Sequence, residues 1–217
     1  MKNVIIMGAT GMVGALALQY CLAREDVAKV TVIVRRSTGL KHPKLTEIIH
    51  SDFTDYSSIE YAFEGIDAGI YCIGVYTGQV SDDEFSCITV DYTKAFADML
   101  KKHSPDASLS FLSGGGADRS EKSHMIFARE KGKAENYLVA MNFEKLYIFR
   151  PGYIYPSKPR KEPNFGYVLL RKIYPLIKHS KSLSVTSERL AAVMASTALE
   201  HRGKTVFENR DIVVYAL

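Results

Sequence analysis

Short apolar runs recur along the first 150 residues of the chain, and amphipathic segments separate them. The first run, residues 4–7, is apolar at every position, which is typical of a strand buried on both faces of a parallel sheet. Runs of this kind predict six strands, at residues 4–7, 30–34, 45–50, 68–73, 108–112 and 146–149.

Between these runs the apolar residues take a helical period. After the first run they fall at i, i+3, i+4, i+7 and i+8, the spacing of one helix face. These residues are Val13, Leu16, Ala17, Tyr20 and Cys21. The same spacing predicts helices over residues 92–100 and 123–142. Strands that alternate with helices predict an α/β fold with a doubly wound parallel sheet, the Rossmann arrangement.

The C-terminal part of the chain has a different composition, with prolines that punctuate a loop. Further elements are predicted there: helical stripes within residues 165–176 and 190–198, and a terminal strand at residues 212–215. No linker is evident, so we expect a single domain over residues 1–217. By analogy with doubly wound dinucleotide-binding folds, residues 1–155 are its core and residues 156–217 a small helical extension on the substrate side.

The overall composition, 47% hydrophobic and 24% charged over 217 residues, is that of an ordinary globular protein. No apolar run approaches the ~20 residues that cross a bilayer. The first strand begins too early to leave room for a signal peptide. Cys21, Cys72 and Cys87 lie in apolar stretches without metal-binding spacing. We therefore expect reduced thiols, no membrane association and a cytoplasmic location.

The formal net charge of +4 is small. Basic residues are most concentrated between positions 158 and 181, without the interleaved aromatic residues or the recognition motif of a nucleic-acid-binding surface. We interpret them as a solvated rim and expect no nucleic-acid partner. The six histidines include no pair at i, i+4, so no metal site is predicted.

Glycines mark the turn between the first strand and the first helix. Gly8, Gly11 and Gly14 follow the strand at the spacing G-x-x-G-x-x-G. Bare backbone at such a turn approaches an anion closely, and the N–H groups and dipole of the helix start stabilise it. The position between a buried strand and an amphipathic helix predicts a dinucleotide pyrophosphate site. The alternative is a tight turn with no ligand.

Two arginines follow the second strand directly. In a dinucleotide-binding fold, the end of this strand faces the adenosine ribose. An acidic residue there favours the 2′-hydroxyl of NAD, whereas the guanidinium groups of Arg35 and Arg36 favour the 2′-phosphate of NADP. The alternative is that both arginines are solvent-exposed loop charges. Asp52, after the third strand, is a candidate acceptor for the adenine amino group or, equally, the N-cap of a helix near Tyr56.

Ordered motifs along the chain carry a family resemblance. They are GATGMVG, the VRR after the second strand, SDF after the third, FLSGGGADRS after the fifth and FRPGYIY after the sixth. The chain resembles the atypical short-chain dehydrogenase/reductases, and within them the Tat-interacting-protein-like oxidoreductase group. The resemblance implies an NADP-binding Rossmann domain, a serine at the end of the fifth strand and a Tyr-x-x-x-Lys pair on the helix after it. Ser113 and Lys131 match, but Phe127 stands at the tyrosine position and Gly114 where relatives often have a second serine.

We therefore expect the cofactor to be NADP(H). The residues expected to contact it are Gly8, Thr10, Gly11, Met12, Val13, Arg35, Arg36, Asp52, Phe53, Cys72, Ile73, Gly74, Lys131, Pro151, Gly152, Tyr153 and Ile154. The first five are placed at the pyrophosphate and the arginines at the 2′-phosphate. Asp52 and Phe53 are placed at the adenine, and the residues from Pro151 onward at the nicotinamide.

The phenylalanine at position 127 bears on catalysis. Reduction of a carbonyl by hydride leaves an alkoxide, which needs a proton donor, and loss of a general acid typically lowers the rate ~10²–10⁴-fold. Three candidate catalytic residues remain: Ser113, Lys131 and His124. In a helix over residues 123–142, His124 lies one turn before Phe127, although an exposed histidine near the helix start is the plainer interpretation. Two functions follow: an NADP(H)-dependent oxidoreductase acting on an unidentified carbonyl or related small molecule, or a non-catalytic module that senses NADP(H) or regulates a partner.

Overall fold

All six predicted strands are present in the computed structural model, which describes residues 1–156, 171–172, 174–175, 177–178 and 180–217. The strands are β1 (Lys2–Met7), β2 (Val27–Val34), β3 (Leu45–Ile49), β4 (Ala68–Tyr71), β5 (Ser108–Leu112), β6 (Leu146–Arg150), β7 (Tyr153–Tyr155), β8 (Ser184–Thr186) and β9 (Val206–Glu208). Seven of them form one parallel sheet in the order β3-β2-β1-β4-β5-β6-β9, and β7 pairs with β8 in a small parallel sheet.

Helices cover both faces of the large sheet. They are α1 (Met12–Ala23), a 3-10 helix (Ser57–Phe63), α2 (Asp82–Ser86), a π-helical segment (Cys87–Asp91), α3 (Tyr92–His103), α4 (Ile126–Ala140), α5 (Ser187–Glu200) and α6 (Asn209–Val214). Alternate residues of β1 enter two separate cores: Val4 and Ile6 pack with α1 and α5, and Ile5 and Met7 pack with α3 and α4. Burial on both faces is the reason that β1 is apolar at every position. The predicted doubly wound Rossmann fold is confirmed.

The predicted C-terminal strand is wrong. Residues 212–215 lie mostly in helix α6, and the last strand, β9, precedes it. Glu208 and Asp211 form a reciprocal capping box that fixes the start of this helix, and such a box outweighs the strand preference of a short β-branched run. Of that run, Ile212 alone is buried.

The C-terminal residues complete the main layers of the fold. Helix α5 lies on the same face as α1, and the side chains of Ser108 and Ser110 in β5 donate hydrogen bonds to its carbonyl groups at Ala198 and Met194. Strand β9 is the outermost strand beside β6. The boundary expected at residue 155 therefore does not separate a core from an extension in the described part. The stripe predicted within residues 165–176 and the basic residues 158–161 lie largely outside the described residues.

The helix after β5 begins later than predicted. It starts at Ile126, and Ser123 and His124 lie in the loop before it. The carboxylate of Asp118 accepts hydrogen bonds from the backbone N–H groups of Lys122 and Ser123. These bonds hold the loop in a non-helical path, because the Asp side chain competes with the helix for its backbone donors.

Candidate cofactor and active site

The glycine turn after β1 is crowded by backbone. Gly8 has a φ of +78°, and a Cβ there would lie 2.8 Å from the carbonyl carbon and oxygen of Cys72. A Cβ at Gly14 would lie 2.2 Å from the carbonyl oxygen of Gly8. That oxygen also accepts a hydrogen bond from the N–H of Gly11 at 2.9 Å. Glycine at positions 8 and 14 is therefore required by the close contact between β1, α1 and the end of β4.

Gly8→Ala is expected to lower the free energy of unfolding by about 1–3 kcal/mol, because the added methyl group overpacks the junction with β4. Dinucleotide binding should be lost as well, since the turn must move to relieve the contact. Gly39→Ala is the matched control: its φ is also positive, +73°, but nothing lies within 4 Å of an added Cβ. Denaturant unfolding of both variants and the wild type measures the difference. Equal losses in the two variants would contradict the role of crowding at Gly8.

The first turn of α1 is open to an anion. Gly11 is the N-cap residue, no side chain caps the helix there, and the first turn contains no acidic residue. The first N–H groups of a helix lack partners within the helix, and the helix dipole makes this end partly positive. The uncapped helix start and the crowded glycine turn fit a pyrophosphate group.

A cavity of about 440 Å³ begins at this turn and extends along the carboxyl ends of the strands. Four parts of the chain besides the turn line it: the segment after β4, the end of β5, one face of α4 and the segment after β6. Its lining residues are Gly11, Met12, Val13, Cys72, Ile73, Gly74, Val75, Tyr76, Thr77, Leu112, Ser113, Gly114, Phe127, Lys131, Pro151, Gly152 and Ile154. Open α/β sheets bind ligands at this edge, where the strand order reverses between β1 and β4.

Lys131 lies in the wall of the cavity and is only 6% exposed. Its Nζ donates a hydrogen bond to the carbonyl oxygen of Leu112 at 2.9 Å and lies 5.0 Å from the ring centroid of Phe111. Burial lowers the pKa of the Lys131 ammonium to about 8, although the nearby Glu135 carboxylate opposes the shift. The side chain thus places a cation with little hydration in the wall of the cavity.

Ser113 belongs to a buried ionic network. Its hydroxyl donates to Oε1 of Glu135 at 2.5 Å, and Glu135 is fully buried. Arg150 and Arg119 also donate to this carboxylate, with the Nε of Arg150 2.9 Å from Oε1 and the Nε of Arg119 2.7 Å from Oε2. Burial raises the pKa of the Glu135 carboxyl, but the hydrogen bonds from Arg150 and Ser113 outweigh burial, and the pKa lies below its ordinary value. The ionised Glu135 therefore fixes the orientation of the Ser113 hydroxyl.

Phe127 and Gly114 are sterically linked. A Cβ at Gly114 would lie 2.3 Å from Cζ of Phe127. The phenyl ring therefore occupies the space that a serine side chain at position 114 would need. Phe127 and Gly114 thus fit together in one wall of the cavity, and neither residue contributes a hydroxyl group to it.

The residues expected at the adenosine follow β2 and β3, which lie on the opposite side of β1 from β4 and β5. Arg35 and Arg36 are exposed after β2, and among the described residues neither forms an ion pair. The carboxylate of Asp52 accepts hydrogen bonds from Thr54 instead of capping the 3-10 helix, so the N-cap alternative is wrong. Phe53 is 6% exposed and packs in the core against aromatic rings, so its side chain does not offer a free face to adenine.

Further predicted site residues are absent from the cavity lining. His124 is exposed in the loop before α4 and does not line the cavity, so its expected place on the helical face of Phe127 is wrong. Tyr153 is buried in β7 beside Tyr174 and does not line the cavity either. Ile154 lines the cavity and its neighbour Tyr153 does not, because successive side chains of a strand point to opposite faces. Thr10 is exposed in the glycine turn.

Glu135 and its arginine partners were not predicted as functional residues. The available signal was the spacing of Lys131 and Glu135, four residues apart, which places both on one helix face. Nothing in the sequence pairs this helix with Arg150 or Arg119. Val75, Tyr76 and Thr77 were also missed, because the segment after β4 has no pattern that reveals which residues line a cavity.

Comparisons with known proteins agree with this geometry. The model of a protein family described as NAD(P)H-binding matches residues 8–201. The protein HTATIP2 of Rattus norvegicus is 30% identical over 180 residues, which are 80% of this chain and 70% of that protein. A mitochondrial protein named FMP52, from Meyerozyma guilliermondii, is 25% identical over 201 residues, 90% of this chain and 85% of that protein. Because relatives include proteins named mitochondrial, the cytoplasmic location stays a prediction, and none of the described helices is long and apolar enough to span a bilayer.

Solved structures share the fold. The Bordetella bronchiseptica enzyme WbmH in complex with NAD+ superposes with a TM-score of 0.70, at 17% identity, over 96% of this chain and 75% of that one. WbmG from the same organism, also in complex with NAD, gives a TM-score of 0.69 at 15% identity over 95% and 72% of the two chains. With the glycine turn, the uncapped helix start and the match over residues 8–201, these findings show that the chain belongs to the NAD(P)H-binding family and is a homologue of HTATIP2.

Proposed function

We propose that this protein is an NADP(H)-dependent oxidoreductase that acts on a small carbonyl compound. The observation that supports this most directly is that one cavity joins the glycine turn after β1 to Ser113 and Lys131. One end fits a dinucleotide pyrophosphate, and the other end is apolar apart from a few polar groups, as small-molecule sites usually are. When bound, NADPH supplies the hydride, and the residues of the chain orient the two reactants and handle the proton.

The preference for NADP(H) is supported by Arg35 and Arg36. Both guanidinium groups are exposed at the carboxyl end of β2, without ion-pair partners in the described part of the chain. The two positions that follow β2 directly are these arginines, so no acidic residue stands there to bind the ribose 2′-hydroxyl. A charge-assisted hydrogen bond is worth ~1.5–3 kcal/mol, which corresponds to about tenfold or more in affinity.

Arg35→Ala is expected to weaken NADPH binding about tenfold or more and to leave NADH binding nearly unchanged. Titration calorimetry with both cofactors measures the two affinities. Arg210→Ala is the control, because Arg210 is also exposed but follows β9, at the opposite edge of the sheet from β2. Equal wild-type affinities for NADPH and NADH, or no loss of NADPH affinity in Arg35→Ala, would contradict the proposed preference.

A second function, NADP(H) sensing without catalysis, is favoured by two features of the cavity. Phe127 has no hydroxyl, and the proton of the Ser113 hydroxyl is engaged by Glu135. To separate the two functions, NADPH is mixed with the purified protein and a panel of aldehydes, ketones and quinones, and nicotinamide absorbance is followed. Turnover that decreases in Ser113→Ala supports the oxidoreductase. Tight NADPH binding with no turnover on the panel supports the sensor.

A further inference from the structure

The ammonium group of Lys131 has hydrogen atoms that no protein group uses. An ammonium has three N–H donors. One is bonded to the carbonyl oxygen of Leu112, which is its one hydrogen-bond acceptor in the described part of the chain. The side chain also lines the cavity. The remaining donors are therefore available to a molecule bound there.

The neighbouring polar groups are poorly suited to release a proton. Ser113 already donates its proton to Glu135. Burial raises the pKa of the Cys72 thiol to about 12, so this thiol holds its proton at neutral pH. Phe127 lies one helical turn before Lys131, on the same wall of the cavity, and carries no hydroxyl. On this wall of the cavity, the Lys131 ammonium has an N–H group that is available to donate to a bound molecule.

We propose that Lys131 is the proton donor when a carbonyl compound is reduced in this cavity. The inference rests on the proposed function and gives Lys131, one of the three candidate catalytic residues, a specific chemical step. The carbonyl carbon gains the hydride with its electron pair, and the π electrons of the C=O bond move to the oxygen. One N–H bond of Lys131 then breaks and an O–H bond forms. The resulting neutral amine regains a proton from water after the alcohol leaves.

The surroundings of Lys131 favour this role. The groups that face its Nζ are Glu135 on α4, Cys72 after β4, and the Leu112 carbonyl and Phe111 ring of β5. Burial lowers the pKa of the ammonium to about 8, Glu135 and Cys72 act in the opposite direction, and burial prevails. A general acid is most efficient when its pKa lies near the working pH, so this ammonium is protonated at neutral pH and yet far more acidic than an exposed one.

The first test uses the protein without cofactor and needs no turnover. Trace labelling with acetic anhydride at a series of pH values, read by mass spectrometry, reports the fraction of each lysine that is neutral. The Lys131 peptide is expected to show a midpoint near pH 8, well below the ordinary lysine value of about 10.4, and the peptide with the exposed Lys122 is the reference. A Lys131 midpoint equal to that of Lys122 would overturn the proposal.

The second test follows single-turnover reduction of para-nitrobenzaldehyde at saturating NADPH. The rate should decrease above the labelling midpoint, as the donor loses its proton. Lys131→Arg keeps the positive charge and hydrogen-bond donors but does not release a proton in this range. We expect its rate to decrease about 100-fold or more, with NADPH affinity changed no more than about threefold. Lys133→Arg, on the same helix but more exposed, is the matched control.

The outcomes separate the proposal from the function on which it rests. Absence of NADPH binding to the wild type contradicts the proposed function itself. NADPH binding without reduction of any carbonyl compound also contradicts the proposed function, because this outcome favours the sensor. A rate that is unchanged in Lys131→Arg, or a loss of rate confined to Tyr76→Phe in the segment after β4, would overturn the role of Lys131 alone. A decrease in Lys131→Arg that follows the labelling midpoint supports it, because a lysine that only positions the cofactor would not give the matching pH profile.

Discussion

Glu135→Leu is expected to lower the free energy of unfolding by about 3–5 kcal/mol at neutral pH. Leucine fills a similar volume, so the loss does not come from a cavity. The loss comes from polar groups that are left without partners. The Arg150 guanidinium, whose side chain is only 18% exposed, would lose the Glu135 carboxylate. The Ser113 hydroxyl would lose its hydrogen-bond acceptor. Denaturant unfolding at pH 7 measures the change, and Glu144→Leu, at an exposed acidic position, is the control.

The same network predicts a dependence on pH. In the folded protein the pKa of the Glu135 carboxyl is lowered, so the folded state favours the ionised form. The stability that it contributes is present above the unfolded pKa of about 4.3 and is lost as the pH falls through the folded value. The difference between wild type and Glu135→Leu should therefore be constant near neutral pH and shrink in acid. A constant difference down to the pH of acid unfolding would contradict the assignment of the charge to Glu135.

Lys131→Met is expected to raise the free energy of unfolding by about 3 kcal/mol at pH 7. The size of the gain follows from the difference between the folded pKa of about 8 and the ordinary lysine value of about 10.5. Since Lys131 is buried at the edge of the cavity, the folded protein holds this ammonium less favourably than water does. Methionine has a similar length and no charge. A buried charge that lowers stability in this way is consistent with the role proposed for Lys131, because functional sites are often less stable than the rest of a protein.

The sign of the pH dependence distinguishes this prediction from a simple packing effect. Between pH 8 and 10.5 the unfolded chain holds the Lys131 proton more firmly than the folded protein does. Wild-type stability therefore increases with pH relative to Lys131→Met over this range. The advantage of the variant should be complete below pH 8 and vanish above about 10.4. Lys122→Met, which removes an exposed charge, should show neither the gain nor the trend; the same behaviour in both variants would contradict burial as the cause.

Much of the fold was predictable because its signals are local. A strand buried on both faces must be apolar at every position, and β1 satisfies this condition. A helix that packs on a sheet must repeat its apolar residues at helical spacing, as α1 does at Val13, Ala17 and Cys21. The errors arose where a local signal was ambiguous. The β-branched run at Ile212 predicted a strand but belongs to a capped helix. The helix predicted from residue 123 begins only at Ile126, because Asp118 binds the backbone of the preceding loop.

The candidate site was predictable only where it depends on backbone. The glycines of the turn after β1 are visible in the sequence, since only glycine tolerates a φ of +78° beside the carbonyl group of Cys72. The side-chain part is different. Ser113, Glu135 and Arg150 come from three elements, and their contact depends on the placement of α4 against β5 and β6. His124 and Tyr153 were misplaced for the same reason, because a shift of a helix start or one step along a strand changes the direction of a side chain.

The sequence by itself determined the parallel sheet, the glycine turn and the two arginines after β2, because each of these follows from the order and spacing of neighbouring residues. Only the tertiary structure decided that Glu135 accepts a hydrogen bond from Ser113, that Phe127 fills the space beside Gly114, and that Lys131 lies buried with a lowered pKa. These properties arise from desolvation and contact between elements distant in sequence, which no local pattern of residues records.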